Sequence, residues 1–310
     1  MSGDINEEFA ERIPITETGS LDRRPEPEIA QFEPSMVEAP RPMRFPNVAD
    51  VGLLFVLLVF AALVATILGA AALQFHLFGI STAKQAVADI RYALGGQLLW
   101  YVFTLIGAIL LFPPLWHTSF FRGVEWRWGI AMQAGARLVS TALFCLVLAV
   151  VDGKLMPGPE NAPIDEVFRT PGAAWFLFFF GTLLAPFFEE MLFRGFLLPA
   201  FCTGYDWCLE RMTKRSAPWP DAEGKTVWTA PAMIVGSVLV SIPFALMHGA
   251  QTGYSVGPFL LLFCVSLVLC WLRLTLRSLA ASTLVHAGYN LLLFAIMIAG
   301  TGGFKHLDRL

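Results

Sequence analysis

Charge is the first thing this sequence lacks. Asp, Glu, Lys and Arg make up 15% of its 310 residues, against about 25% in soluble domains, so a soluble globular class is excluded. A formal net charge of −3 provides no basic field for nucleic acid, which is not expected as a partner. The five cysteines, Cys145, Cys202, Cys208, Cys264 and Cys270, are odd in number, contain no C-x-x-C pair and fall mostly in apolar runs. They read as buried small hydrophobes, neither disulfide staples nor zinc ligands. No H-E-x-x-H is present, which removes the helix-borne zinc hydrolase pattern. There is no internal repeat. The N-terminus also lacks the basic-then-apolar layout and small-residue cleavage site of a signal peptide, so it is expected to be retained.

What remains is hydrocarbon. The chain is 56% hydrophobic with 27 Phe, and its mean hydropathy is +0.64. The expected class is an all-α polytopic membrane protein, a bundle of about seven (six to eight) transmembrane helices around an intramembrane polar cavity, because lipid offers an unpaired backbone no partners. Judged against the roughly 20 residues needed to cross, spans are expected at 51–77, 94–116, 127–151, 172–202, 230–248, 256–273 and 279–300. The fourth is too long for one upright crossing and contains Pro186, so a tilt, a kink or a re-entrant piece is expected there.

The domains divide as a disordered Pro- and Glu-rich tail over 1–47, N-terminal transmembrane helices over 48–171, a core over 172–300 and a short C-terminal tail over 301–310. Basic residues set orientation. With the N-terminus inside, the inner face receives Arg41, Arg44, Arg122, Arg127, Arg211, Lys214, Arg215, Lys225, Arg273 and Arg277. The outer face receives fewer, namely Lys84, Arg91, Lys154, Arg169, Lys305 and Arg309. A cytoplasmic N-terminus in a bacterial inner membrane is expected. The stretch 203–229, with Trp207, Trp219 and Trp228 among basic residues, reads as a loop at an inner-leaflet boundary, in contact with membrane lipids.

Against this background a few polar residues stand out. PFFEEMLFRG, residues 186–195, sets Glu189, Glu190 and Arg194 in an apolar run. Each carries an insertion cost of about 2.5–3.5 kcal/mol at a helix centre. Glu190 and Arg194 are four apart, share a helix face and can pair, while Glu189 is turned about 100° away and left free. His248 closes SIPFALMHG with Phe244 one turn earlier, and His286 lies one turn before Asn290 in LVHAGYNLL. Singly, each could be an interfacial residue or interhelical hydrogen-bond glue. Gathered in one bundle, Glu, His, His and Asn form a set able to activate water and stabilise an oxyanion. Glu189, His248 and His286 could equally hold a zinc ion with water as the fourth ligand.

The order E-E-x-x-x-R over 189–194, F-x-x-x-H over 244–248 and H-x-x-x-N over 286–290 resembles the CAAX protease and bacteriocin-processing family of intramembrane endopeptidases, which includes the Ras-converting CAAX prenyl endopeptidase. The likeness covers about 172–300. It implies a peptide or protein substrate, in some members lipid-modified, and a cavity opening towards the cytosol. It also implies roles: Glu189 as general base on water assisted by His248, His286 and Asn290 as oxyanion donors, and Glu190, Arg194 and Phe244 in support. No cofactor is expected, because Asn290 suits an oxyanion better than a metal shell; zinc stays open as the alternative. One departure is local: many members have a glycine before the third motif, where this chain reads Leu276-Arg277-Ser278-Leu279.

Other readings compete. Gly253 to Gly257 spells G-x-S-x-G but joins two membrane helices, not a strand and a helix. A rhomboid-like dyad of Ser255 and His286 leaves Glu189, Glu190 and Arg194 unexplained. A non-proteolytic scaffold or immunity protein of the same fold, or a transporter using Glu189 as a proton site, is the non-enzymatic alternative. Arg137, with Gln133 one turn before it, is expected to partner a carbonyl or acid, or else to contribute to the cavity.

Overall fold

The computed structural model describes residues 46–156, 158, 168, 172–214 and 228–304, all within one compact unit, Pro42–Leu310. Expectations for the tail up to residue 45, for 215–227 and for 305–310 lie outside the described residues. Every element among those described is helical.

Among the described residues, seven helices are long and apolar enough to cross a membrane: α1 (Val48–Gln74), α2 (Ile90–Trp116), α3 (Gly135–Leu155), α4 (Ala173–Thr213), α5 (Ala230–Met247), α6 (Val256–Leu276) and α7 (Leu279–Thr301). Four of their starts, those of α1, α2, α5 and α7, are marked by capping chemistry. The Asn47 side chain accepts from the α1 backbone while Asp50 answers to the Asn47 N–H. Asp89 caps α2, Thr229 caps α5 and Ser278 caps α7. The third expected span divides: a short helix, Trp128–Gln133, stops at Ala134 and α3 begins at Gly135. Gln133 and Arg137 therefore fall on separate helices. Arg137 finds neither acid nor cavity; its guanidinium donates to the Thr275 hydroxyl at 2.8 Å and lies 4.6 Å over the Trp271 ring.

α4 carries the fold's main irregularity. Its 41 residues would span about 60 Å if straight, roughly twice a hydrocarbon core. The helix is broken up by two π-helical stretches, Phe180–Leu184 and Met191–Leu197. Each lies just before a proline. The Ala185 N–H donates to the Phe180 carbonyl and the Leu198 N–H to that of Phe193, both five residues back, and the next residues are Pro186 and Pro199. A proline cannot donate and crowds the preceding turn, and a widened turn relieves that crowding. The kink expected at Pro186 is thus a π-bulge.

α4 also continues eleven residues beyond its expected end at 202, into the stretch read as loop. There the helix is held by polar ties instead of hydrocarbon. Asp206, fully buried, accepts from the Thr229 hydroxyl and N–H at 2.6 and 3.1 Å. Arg211 covers the Trp207 ring at 4.5 Å, and the Trp228 indole donates to Thr203. Gly236 lets α5 approach, since a Cβ there would sit 2.7 Å from Cys202 Sγ.

Three apolar clusters hold the bundle: α3 with α6 and α7, α1 with α2 and α4, and α4 with α5 and α6. Cys145, Cys202 and Cys270 are buried as expected; Cys208 and Cys264 are exposed, and all five are free thiols. The two exceptions lie on outward faces of their helices, where a small apolar side chain is also tolerated.

The loop before α7 shows what stands in for the glycine. Arg277 takes the left-handed conformation, φ 49° and ψ 41°, which glycine adopts without strain. Its guanidinium is held by Glu125 Oε1 at 3.1 Å, and Glu125 also accepts from Arg127 at 3.0 Å and Arg273 at 2.8 Å. Burial raises the Glu125 carboxyl, but the charges of Arg273 and Arg277 outweigh it and hold the group below its ordinary range. The Leu279 N–H donates to the Glu125 carbonyl and the Ser278 hydroxyl to that of Arg127. This clamp fixes the start of α7 and with it the height of His286.

Candidate active site

α4, α5 and α7 bring Glu189, Glu190, Arg194, Phe244, His248 and His286 to one place. Glu190 and Arg194 have fully buried side chains and pair at 2.9 Å, Nη1 to Oε1. The other guanidinium nitrogen donates to the Ser266 hydroxyl at 2.7 Å and to its carbonyl at 3.1 Å, which ties α4 to α6. Phe244, 1% exposed, fills the centre. Its ring lies 4.4 Å beneath the Arg194 guanidinium, 5.1 Å from the His248 ring and 5.8 Å from that of His286. A cation over a desolvated aromatic face is favourable by about 2 kcal/mol. Both imidazoles pack on the same ring.

His286 stands between the two glutamates. Its Nδ1 is 3.1 Å from Glu190 Oε1 and its Nε2 is 3.8 Å from Glu189 Oε2. His248, capping α5, places Nδ1 2.9 Å from the Phe244 carbonyl and Nε2 3.8 Å from the same Glu189 oxygen. The partners decide the tautomers. A carbonyl and a carboxylate oxygen both accept, so each Nδ1 carries its proton, and in a neutral ring Nε2 presents a lone pair. Two Nε2 atoms therefore converge on Glu189 Oε2. At 3.8 Å they are too far apart to bond directly, and one water at ordinary hydrogen-bond distance from each spans such a gap. The Glu189 side chain, 13% exposed, reaches this spot without an arginine or lysine partner among the described residues.

The same three donors, two imidazole nitrogens and a carboxylate oxygen, fit zinc in type. Among the described residues, no three His, Cys, Asp or Glu side chains close into a ready metal cluster.

Asn290 is tied by its amide to the Gly181 carbonyl at 2.8 Å. The π-bulge explains why. In its register the Gly181 carbonyl would look to the nitrogen of Pro186, which has no hydrogen. The Asn290 side chain supplies the missing donor and retains one further N–H. Ser255 lies at the α6 start and makes no capping hydrogen bond, and the His286 nitrogens face glutamates, so the geometry offers the serine dyad no support.

Residues 171–292 match the family model described as Rce1-like, type II CAAX prenyl endopeptidase. The resemblance read from the motifs is borne out over that segment. The Rce1-like segment begins just before α4 and ends just past Asn290, so all three motifs fall within it and α1, α2 and α3 do not. No curated protein and no solved structure matches the chain. The Rce1-like match implies a protease acting on peptide or protein substrates, in an integral membrane protein of seven apolar helices.

Sequence reasoning missed Ser266, the second anchor of Arg194, and Gly181, the anchor of Asn290. It also missed the wall of the cavity beside Glu189. This apolar space of about 100 Å³ is lined by Glu189 together with residues of α1 and α2, among them Leu58, Trp100, Tyr101 and Leu105. A signal existed: Gln97 and Tyr101 are four apart in an apolar run, the same spacing that singled out His286 and Asn290.

Proposed function

We propose that the protein hydrolyses a peptide bond within the membrane by a glutamate mechanism. The observation that carries this reading is the convergence of His248 Nε2 and His286 Nε2 on one Glu189 oxygen, each at 3.8 Å. A water between them donates one hydrogen to Glu189 and one to His248. As its oxygen attacks the carbonyl carbon, a proton passes to Glu189, which later delivers it to the leaving amine.

His286 donates to the oxyanion through Nε2 when it carries both ring protons. The second N–H of Asn290 is the other donor. Each such donor is worth about 10²–10³ in rate. Arg194 and Phe244 hold Glu190 and the two imidazoles in position.

The cavity takes a small apolar group, which fits an aliphatic side chain beside the scissile bond. A lipid modification on the substrate would lie outside that cavity, against the surrounding bilayer. Among the described residues, the N-terminal side of the bundle carries Arg122, Arg127, Arg211, Lys214, Arg273 and Arg277 and the opposite side Lys84, Arg91 and Lys154, which favours a cytoplasmic N-terminus.

The test is cleavage of a peptide carrying an S-farnesylated cysteine followed by two aliphatic residues and a terminal residue, by purified protein with and without chelator. Glu189→Gln and His248→Ala are expected to lose cleavage, Ser255→Ala to retain it, and chelator to leave it unchanged. Cleavage by Glu189→Gln at the wild-type rate would end the proposal, and loss on chelation with recovery on adding zinc would convert it to a metal mechanism.

A further inference from the structure

The cavity beside Glu189 holds few polar side-chain groups, and most are already committed. The Trp100 indole N–H donates to the Leu58 carbonyl at 2.9 Å, and the Thr104 hydroxyl donates to the Trp100 carbonyl at 2.8 Å. Glu189, as a carboxylate, only accepts. Tyr101 differs. Its hydroxyl oxygen receives a hydrogen bond from Gln97 Nε2 at 2.9 Å, and its own proton has no acceptor among the described residues. The ring is held flat against Phe188, the residue before Glu189, with centroids 4.4 Å apart, and stacks on Phe180 at 6.0 Å. Tyr101 and Glu189 line the same cavity.

We propose that the Tyr101 hydroxyl is a substrate-binding residue that donates to a carbonyl oxygen of the peptide seated beside Glu189. This rests on the endopeptidase reading and extends it to α2, outside the Rce1-like segment. The chemistry follows from the inventory. A peptide entering an apolar cavity must leave its carbonyl oxygen paired or lose the hydrogen bond it had in water. Tyr101 is the cavity-lining side chain with a proton to give, and Gln97 fixes where the phenol oxygen sits. Base and donor then hold the same peptide group from two helices.

The experiment measures binding separately from turnover. In the Glu189→Gln background, the farnesylated peptide described above is titrated by fluorescence against protein with and without Tyr101→Phe, which keeps the stacking ring. Binding is expected to weaken about three- to tenfold, the range for one uncharged hydrogen bond, with the melting temperature unchanged. A second probe replaces each backbone carbonyl after the cysteine by a methylene, and it is expected to bind both proteins equally. Gln97→Leu, which removes only the orienting amide, is expected to weaken the carbonyl probe by a smaller factor. Equal affinity of both proteins for the carbonyl probe overturns the proposal, and so does failure of that probe to bind the Glu189→Gln protein. A loss equally large with the methylene probe overturns it too, because the hydroxyl then serves Glu189. If wild type binds but does not cleave, the endopeptidase reading fails while the affinities still decide the role of Tyr101.

Discussion

Replacing Arg194 by Met separates what the buried ion pair does for stability from what it does for chemistry. The guanidinium makes one bond to Glu190 and two to Ser266 and sits on the Phe244 face, with no exposed surface. Its loss leaves the Glu190 carboxylate buried without its cation, and breaking one side of such a pair costs about 3–5 kcal/mol. For a chain of this size that corresponds to a melting temperature lower by roughly 5–8 °C. Removing both charges removes the penalty. Glu190→Leu with Arg194→Met is expected to recover most of the lost stability, because an apolar pair of similar volume is often neutral or stabilising at a buried site.

Activity does not return with it. His286 Nδ1 loses the acceptor that fixes its tautomer, and loss of such an orienting partner costs about 10- to 100-fold. The assay is thermal unfolding in detergent micelles beside peptide cleavage, on wild type, both single variants and the double. A double variant as unstable as the singles would refute the electrostatic account of this pair. One that cleaves at the wild-type rate would refute the positioning role given to Glu190.

Asn290→Ala should leave the Gly181 carbonyl without its donor, at about 1–3 kcal/mol, and remove one oxyanion hydrogen bond. Asn290→Asp restores neither donor, so both variants are expected to show kcat reduced about 10²-fold or more with KM little changed; a change confined to KM would move Asn290 out of the chemistry. The Glu125 clamp should make stability pH-dependent with a definite sign. Its folded carboxyl lies below the ordinary 4.5, so its contribution is fully present above that pH and lost as pH falls through the lower folded value. Wild type should lose melting temperature more steeply than Glu125→Gln below pH 4.5, and parallel curves would remove Glu125 from the account.

The seven crossings were legible because hydropathy over some twenty residues is a local property, and each expected span has its helix. The three motifs were legible for a related reason. In hydrocarbon an ionisable or amide side chain is costly enough that its presence and its four-residue spacing mark it out.

Partnership was not legible. Nothing local tells that Arg194 meets Ser266, that Asn290 completes a carbonyl orphaned by Pro186, or that Arg277 takes a glycine's conformation under the hold of Glu125. The extension of α4 past 202 was missed because Asp206 there is satisfied by Thr229, 23 residues away.

The sequence alone determined membrane class, number of crossings and the identity of the unusual polar groups, since each follows from the transfer of a residue or short segment out of water. Only the tertiary structure decided that one oxygen of Glu189 faces two imidazoles and that Tyr101 on α2 shares its cavity. Those facts depend on the relative height and rotation of separate helices, which packing and distant hydrogen bonds set and no single segment encodes.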